Sequence, residues 1–475
     1  NFSQKMRKTI IIGAGDAGVL TLKECQNNPA MDLDVVGFID DDTTKRGHSI
    51  YGVKVFGGRK KIPDIVASLE VEEIIIAIPS VKGDAIRDIL FYCEQTDARI
   101  KIIPGLDKIL SGHLEVKPRA VKPEDLLGRE TVEIDEMEII SYIKGKRILV
   151  TGAGGSIGSE LCRQISRFFP ERIIFFDNHE NYVYYLGVEF STKFRHIKYN
   201  TIIGDIKDIN TLRHIFSQYK PHVVFHAAAH KHVPLMEENL AAAIKNNVIG
   251  SRNLIYASSH YKAERFVLIS SDKAVNPTSI MGATKRIAEK ILQAKAKTSK
   301  TKFMAVRFGN VLGSSGSVIP LFKKQIEEGG PVTVTHPEVK RYFMSIPEAT
   351  RLVLQASAIG LGGEIFVLDM GEQIKIIDIA KNLIALSGLK LEKDIKIEFI
   401  GLRPGEKLYE EILLNTEENK VTKHNKIYVA KPGDYDSAKI RKDIRTLESL
   451  ANVNNNKGII EKIKEMVPNY KPEIN

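Results

Sequence analysis

Three cysteines in 475 residues, Cys25, Cys93 and Cys162, are too few and too scattered for a disulfide framework. None stands in CxxC spacing, which argues against a thiolate metal site and fits a reducing compartment. No apolar run is long enough to cross a bilayer, and no signal peptide is visible. The sequence opens at Asn1 without an initiator methionine, so it reads as a fragment. Any membrane helices ahead of Asn1 are then expected outside it. There is no long basic arm either. The 69 Lys and Arg against 59 Asp and Glu give a net charge of +10, but they are spread along the chain. A basic balance suits nucleic acid, an anionic membrane surface or phosphorylated substrates, and this even spread makes nucleic acid the weakest of the three. Nothing suggests broad disorder, because 43% hydrophobic and 27% charged residues are ordinary for a globular protein. The length allows two or three domains, each with a real core.

No short repeat is present, but two segments share one plan. Thr9-Ile-Ile-Ile-Gly-Ala-Gly-Asp-Ala-Gly18 and Arg147-Ile-Leu-Val-Thr-Gly-Ala-Gly-Gly-Ser-Ile-Gly158 each run from an apolar stretch through a glycine turn into a helix-like stretch. Continuous apolar strands are expected in parallel sheets buried on both faces. Further strands are predicted at 34–39, 73–78 and 99–103, giving a doubly wound domain over 1–106. A polar linker, 107–145, contains Pro118 and Pro123. The second set of strands, at 148–151, 172–177, 199–203, 222–226, 265–270 and 302–307, predicts a full Rossmann fold. The catalytic domain then runs from 146 to 475, and its alternation loosens from about Gly313 into a small substrate-covering lobe. The fold class is α/β, a Rossmann-like domain followed by a larger Rossmann domain.

A glycine turn between strand and helix lets a pyrophosphate approach the backbone, and the helix N-terminus supplies unpaired N–H groups and a positive dipole end. Gly152, Gly155 and Gly158 have the spacing found in short-chain dehydrogenases. Asp177 ends the next strand, where a carboxylate accepts from the adenosine ribose and repels a 2′-phosphate. NAD is therefore expected over NADP. Asp205 follows the third strand, and Ala227, Ala228 and Ala229 follow the fourth. The expected cofactor set also includes Ser156, Ile157, Ile206, Asn247 and Lys285. Gly13, Gly15 and Gly18 repeat the GxGxxG spacing, with Asp40, Asp41 and Asp42 after the next strand. One reaction needs one nicotinamide, so the first domain is expected to be structural or regulatory.

The most informative absence is a tyrosine. After the fifth strand, a short-chain dehydrogenase has Ser or Thr and then Tyr-x-x-x-Lys on one helix face. The Lys lowers the Tyr pKa so that the phenol can move a proton. Here Met281 stands in that place and Lys285 is retained. A thioether is no base. Either the enzyme is dead and binds NAD as a sensor or scaffold, or acid–base work has moved to Asp272 and Lys273, directly after Ser271. Adjacent opposite charges at the ligand edge of an open α/β sheet favour the second alternative.

The runs TGAGGSIGSE, HAAAHKHVPLME, SSDKAVNPTSIMGATKR, RFGNVLGSSGSVIP and LRPGEKLYEE together resemble the bacterial polysaccharide-biosynthesis family of UDP-N-acetylglucosamine 4,6-dehydratases. The resemblance covers residues 151 to about 407. With its extra N-terminal domain the chain is similar to the long, membrane-anchored branch, close to the bacillosamine-type enzymes, which carry Met at the tyrosine position. Ser271 stands where that family more often has Thr. The resemblance implies a lyase on the cytoplasmic face of the inner membrane, with UDP-N-acetylglucosamine as substrate and NAD as a cofactor regenerated in each cycle. Hydride would leave sugar C4 and return to C6 after water is lost across C5 and C6. Asp272 is then expected as acid and Lys273 as base, its pKa lowered by burial. The reverse assignment stays open. Lys285 would anchor the nicotinamide ribose. UDP would meet His232, Asn310, Ser317, Arg341 and Arg403, with Glu406 on the uridine ribose.

His226, His230 and His232 lack an acidic or thiolate partner in a zinc spacing, so no metal is expected. The helical stretches Leu240–Ser258 and Met281–Lys295 occupy the places where short-chain dehydrogenases dimerise, and a homo-oligomer is expected. A UDP-sugar 4-epimerase and a non-catalytic NAD- and UDP-sugar-binding regulator are the competing readings.

Overall fold

The computed structural model describes residues 6–78, 83–93, 95–103, 118–122, 125, 132–413, 419–430 and 433–472. Pro123 and about half of the expected linker lie outside the described residues. Two compact units are present. One comprises residues 1–131, 316–334 and 376–399, and the other 132–315, 335–375 and 400–475.

In the first unit a seven-stranded sheet runs in the order Ser49–Ile50, Val53–Gly57, Leu33–Ile39, Arg7–Ile12, Glu73–Ile76, Arg99–Ile102, Arg119–Ala120. Its inner strands are parallel, and the two outermost pairs are antiparallel. The period-2 alternation of a strand explains the apolar runs. Ile10, Ile12, Ile74 and Ile76 face one buried cluster, while Ile11 and Ile75 face another that contains Phe38. The same unit holds the helices Val318–Glu327 and Ile376–Leu386 and a parallel strand pair, Val332–Val334 with Ile397–Phe399.

The second unit is built on nine strands in the order Tyr199–Ile203, Arg172–Asp177, Arg147–Thr151, Val223–His226, Arg265–Ile269, Lys302–Arg307, Ile365–Leu368, Ile427–Ala430, Asn419–Val421. The first six are the 3-2-1-4-5-6 order of a dinucleotide fold. Again the strands feed two cores: Ile148, Val150, Ile173 and Phe175 lie in one, Leu149, Ile174 and Phe176 in the other. Each such buried side chain contributes about 1.5–3 kcal/mol relative to exposure. The sequence order reverses between Arg147–Thr151 and Val223–His226, and that switch point opens the ligand crevice at their C-terminal ends. Residues 136–143, inside the expected linker, form a helix whose N-cap Asp135 accepts from Glu138 N. It buries Ile139, Tyr142 and Ile143 in one of these cores.

The helix Ile280–Ala296 is buried along almost its whole length. It packs with Leu240–Ala243, a π-turn at Ile244–Gly250 and the helix Ser251–His260. The C-terminal helices Ser437–Asn452 and Asn456–Met466 place Ile440, Ile444, Leu447 and Ile463 in the same core as Val248, Ile287 and Ile291. The helix pair on which the dimer expectation rested is thus packed within one chain. No helix among the described residues is long and apolar enough to cross a membrane.

Candidate active site

At the switch point Gly152 turns with φ 68°, a conformation that favours glycine. A Cβ there would lie 2.6 Å from Ala228 N, and one at Gly158 would lie 2.0 Å from Gly152 O. The turn, the Ala227–Ala229 loop and the helix Ser156–Ile165 therefore meet backbone to backbone. Gly155 is the N-cap and supplies no side-chain cap, which leaves the first amides of that helix without the usual side-chain acceptor. Asp177 Oδ2 accepts from Gly154 N at 2.9 Å and its Oδ1 from His179 N at 3.0 Å. A carboxylate has about four acceptor sites, so capacity remains for a ribose. Asp205 accepts from Lys207 N and is ion-paired to Lys207 Nζ at 3.1 Å, and Ile206 is buried. Ser156 Oγ accepts from Ser315 N at 3.1 Å, tying the next glycine loop to the helix start. A cradle that any Cβ would fill, a free helix N-terminus and an acid at the second strand end together fit a dinucleotide.

Asn247, expected in the cofactor set, holds the loop that follows the fourth strand. It lies in the π-turn, is 1% exposed, and clamps the backbone of His230, accepting from its N at 2.8 Å and donating to its O at 2.9 Å. Its Nδ2 also reaches Thr284 Oγ1 at 3.1 Å. The His226 ring bridges Thr151 Oγ1 and Ser251 Oγ at 2.8 and 2.9 Å, and burial pushes its pKa down to about 3, so it is neutral. His232 caps a short helix, and burial, then Lys231, keep it below the usual histidine value.

The fifth strand, Arg265–Ile269, delivers Ser271, Asp272 and Lys273 onto a single 3₁₀ turn, Asp272–Ala274. Ser271 Oγ donates to Asp272 Oδ1 at 2.8 Å, and Lys273 Nζ donates to the same oxygen at 3.0 Å and to Asn310 Oδ1 at 3.1 Å. Asp272 is fully buried, and its Oδ2 has no hydrogen-bond partner among the described residues. The sequence led to a lowered pKa for Lys273, and the structure reverses this. Burial does act to lower it, but Asp272 and then Glu410 outweigh burial, and the value lies above that of ordinary lysine. The ammonium is therefore charged at rest.

The position of the missing phenol is filled by a buried thioether. Met281 is 3% exposed and lies one turn before Lys285. Lys285 Nζ donates to Ile269 O at 2.9 Å, and burial lowers its pKa to about 8. One turn further, Glu289 is fully buried and holds Arg307, Arg286 and Ser270 Oγ. Burial alone would raise its pKa, but the two guanidiniums outweigh that and hold it at about 2. Met281, Lys285 and Glu289 make one stripe, which fastens the helix to the ends of the two central strands.

The substrate residues divide. Asn310 joins the Asp272–Lys273 cluster. Arg341 is 5% exposed and pairs with Glu406 Oε1 at 3.1 Å, which also accepts from Thr335 Oγ1 at 3.0 Å. Its other donors go to the carbonyls of Lys340 and Leu408. Arg403 is exposed, and its backbone N donates to Glu406 Oε2. Ser317 is the N-cap of Val318–Glu327 and belongs to the first unit. Sequence reasoning missed Glu410, which is 5% exposed with Oε1 3.9 Å from Lys273 Nζ. It lies in an irregular stretch between exposed Tyr409 and Glu411, where no periodicity marks a buried position.

Residues 148–432 match the family described as "Polysaccharide biosynthesis protein", and residues 1–104 match one described as "CoA-binding domain". A Bacillus subtilis protein named "Probable polysaccharide biosynthesis protein EpsC" is 52% identical over 431 residues, 90% of this chain and 72% of that protein. A Rickettsia bellii "UDP-glucose 4-epimerase" is 34% identical over 340 residues, 68% of this chain and 96% of its own length. A Campylobacter jejuni "UDP-N-acetylglucosamine 4,6-dehydratase (inverting)" is 33% identical over 291 residues, 60% of this chain and 82% of its own length. Among solved structures, that of Pen from Bacillus thuringiensis is 34% identical with a TM-score of 0.56, covering 62% of this chain and 90% of that one.

Proposed function

The chain belongs to the polysaccharide biosynthesis family, and from that premise we propose that it is an NAD-dependent 4,6-dehydratase acting on UDP-N-acetylglucosamine. The observation that carries the proposal is the ion pair of buried Asp272 with half-buried Lys273 at the edge of the crevice, in a chain where Met281 replaces the phenol of other short-chain dehydrogenases. Gly152, Gly155, Gly158, Asp177 and Lys285 would hold the dinucleotide, which when bound supplies a hydride acceptor and donor. Arg suits the diphosphate of UDP because its fork donates two bonds at once. Exposed Arg403 is the available fork, while Arg341 shapes the site through Glu406.

The protein's own contribution is proton transfer. Oxidation at C4 makes the C5 proton acidic. Lys273, as free amine, takes that proton: the C5–H bond breaks and an N–H bond forms. The C5 electron pair becomes the C5–C6 double bond as the C6–O bond breaks, and Asp272 supplies the proton with which the hydroxyl leaves as water. The oxygen that donates is Asp272 Oδ1, the one in contact with Lys273 Nζ. Since Lys273 is charged at rest, its proton must first move, and Asp272 Oδ1 at 3.0 Å is the adjacent acceptor. That single transfer creates the free amine and the protonated acid together.

Incubation with UDP-N-acetylglucosamine followed by NMR tests the reading. A 4-keto-6-deoxy sugar supports it. A C4 epimer would transfer the assignment to the epimerase reading, and an unchanged sugar on a dinucleotide-loaded protein to the regulator. With substrate deuterated at C4, the label should appear on C6 of the same molecule and the C5 hydrogen should come from solvent. Label lost to water would contradict the proposal.

A further inference from the structure

Two buried carboxylates, Asp272 and Glu410, stand beside one half-buried lysine, Lys273. Their side chains are 0% and 4% exposed. Each has one oxygen, Asp272 Oδ2 and Glu410 Oε2, with no hydrogen-bond partner among the described residues. The second carboxylate comes from a remote, irregular segment, and Gln373 Nε2 fixes that segment by donating to Glu410 O at 2.6 Å. A structural ion pair would need one acid, and a buried oxygen without a donor costs about 1–3 kcal/mol. Such a cost is expected where charge control is the purpose.

We infer that Glu410 is a positioning residue for the proposed elimination, because its buried carboxylate, with that of Asp272, sets the charge carried by the Lys273 amine. This rests on the assignment of Lys273 as base. The groups facing Glu410 are Lys273 and Asp272 on the 3₁₀ turn, Arg341 on the strand Lys340–Met344, and Lys407 on its own segment. Burial raises the Glu410 pKa, with Lys273 opposing. A negative Glu410 holds the proton on Lys273. A neutral one removes that hold and lets the proton pass to Asp272.

The test does not depend on turnover. The pH dependence of Lys273 acetylation by acetic anhydride is followed by mass spectrometry in the full chain and in Glu410→Gln. The midpoint should fall by about one pH unit in the variant, since an opposite charge at this range shifts a pKa by that order. Glu410→Asp, which restores the carboxylate, should bring it back toward the parent. With UDP-N-acetylglucosamine, the rising limb of kcat against pH should move by the same amount and KM should not change. An unmoved acetylation midpoint in folded Glu410→Gln overturns the inference, as does an equal shift in Glu410→Asp. A shifted midpoint in a chain that makes no 4-keto product leaves Glu410 setting the Lys273 charge and sinks the dehydratase reading instead.

Discussion

The two glycine turns are nearly the same object. The first glycine of each has positive φ, 100° at Gly13 and 68° at Gly152. A Cβ on the third would lie 1.9 Å from Gly13 O in one unit and 2.0 Å from Gly152 O in the other. In each, an acid from the next strand end accepts from a loop amide: Asp40 from Ala14 N at 2.8 Å, Asp177 from Gly154 N at 2.9 Å. The differences are in charge. The first helix begins with Asp16 in its first turn, a carboxylate where a phosphate would sit, whereas Ser156–Ile165 has no acid there. Asp40 is ion-paired to Lys45 at 3.1 Å. The glycine pattern therefore reports a backbone turn, and the chemistry depends on what stands around it.

That contrast is broken most severely by removing the proton-transfer pair. Asp272→Asn and Lys273→Met should each lower kcat by about 10²–10⁴-fold while leaving dinucleotide bound, as read by turnover and by the absorbance of released cofactor. Near-parental rates in either variant would take that residue out of the mechanism.

A second difference is the ionic anchor behind the site. Glu289→Gln leaves Arg307, itself fully buried, facing an amide. Breaking such a pair costs about 3–5 kcal/mol, so the denaturation midpoint should fall clearly. The sign of the acid limb follows from the depressed pKa. The Glu289 contribution is complete above the unfolded value near 4.5 and is lost as pH falls toward about 2. The variant should show a shallower acid loss than the parent over that window.

Matched substitutions sharpen the comparison directly. Asp177→Ala should weaken dinucleotide binding by about 10- to 100-fold, the worth of a hydrogen bond to a charged group, and Asp40→Ala should leave it unchanged. Calorimetric titration of both variants decides it. Loss of binding in Asp40→Ala would move the cofactor to the first unit.

Much of this was legible from the chain. The strands 172–177, 199–203 and 302–307 were read to the residue, the first and third because parallel strands buried on both faces leave continuous apolar runs. Asp272 and Lys273 were legible because they follow a strand end and because a tyrosine was missing. Three things were not legible. The raised pKa of Lys273 owes, after Asp272, to Glu410, which is 137 residues away and lies on no periodic element. Asn247 reads as a polar residue on a helix, and only the π-turn reveals it as a backbone clamp. The burial of Ile280–Ala296 depends on helices near the end of the sequence, whose amphipathic pattern does not say what they cover.

The smallest expected effect concerns Lys285. Among the described residues, the lysines that burial holds below the ordinary lysine pKa, Lys231, Lys285 and Lys290, all lie in the second unit. Lys285 titrates at about 8 in the fold and near 10.5 in the unfolded chain. Between those values the unfolded state binds more protons, so stability should rise with pH. Below pH 8 the charge is held in both states, and its burial lowers stability. Denaturant midpoints at pH 7 and pH 9.5 should therefore differ more favourably in the parent than in Lys285→Met, which has no proton to lose. An identical pH increment in the two proteins would mean that Lys285 is not the buried, strained cation described, and that the second unit does not differ from the first in this respect.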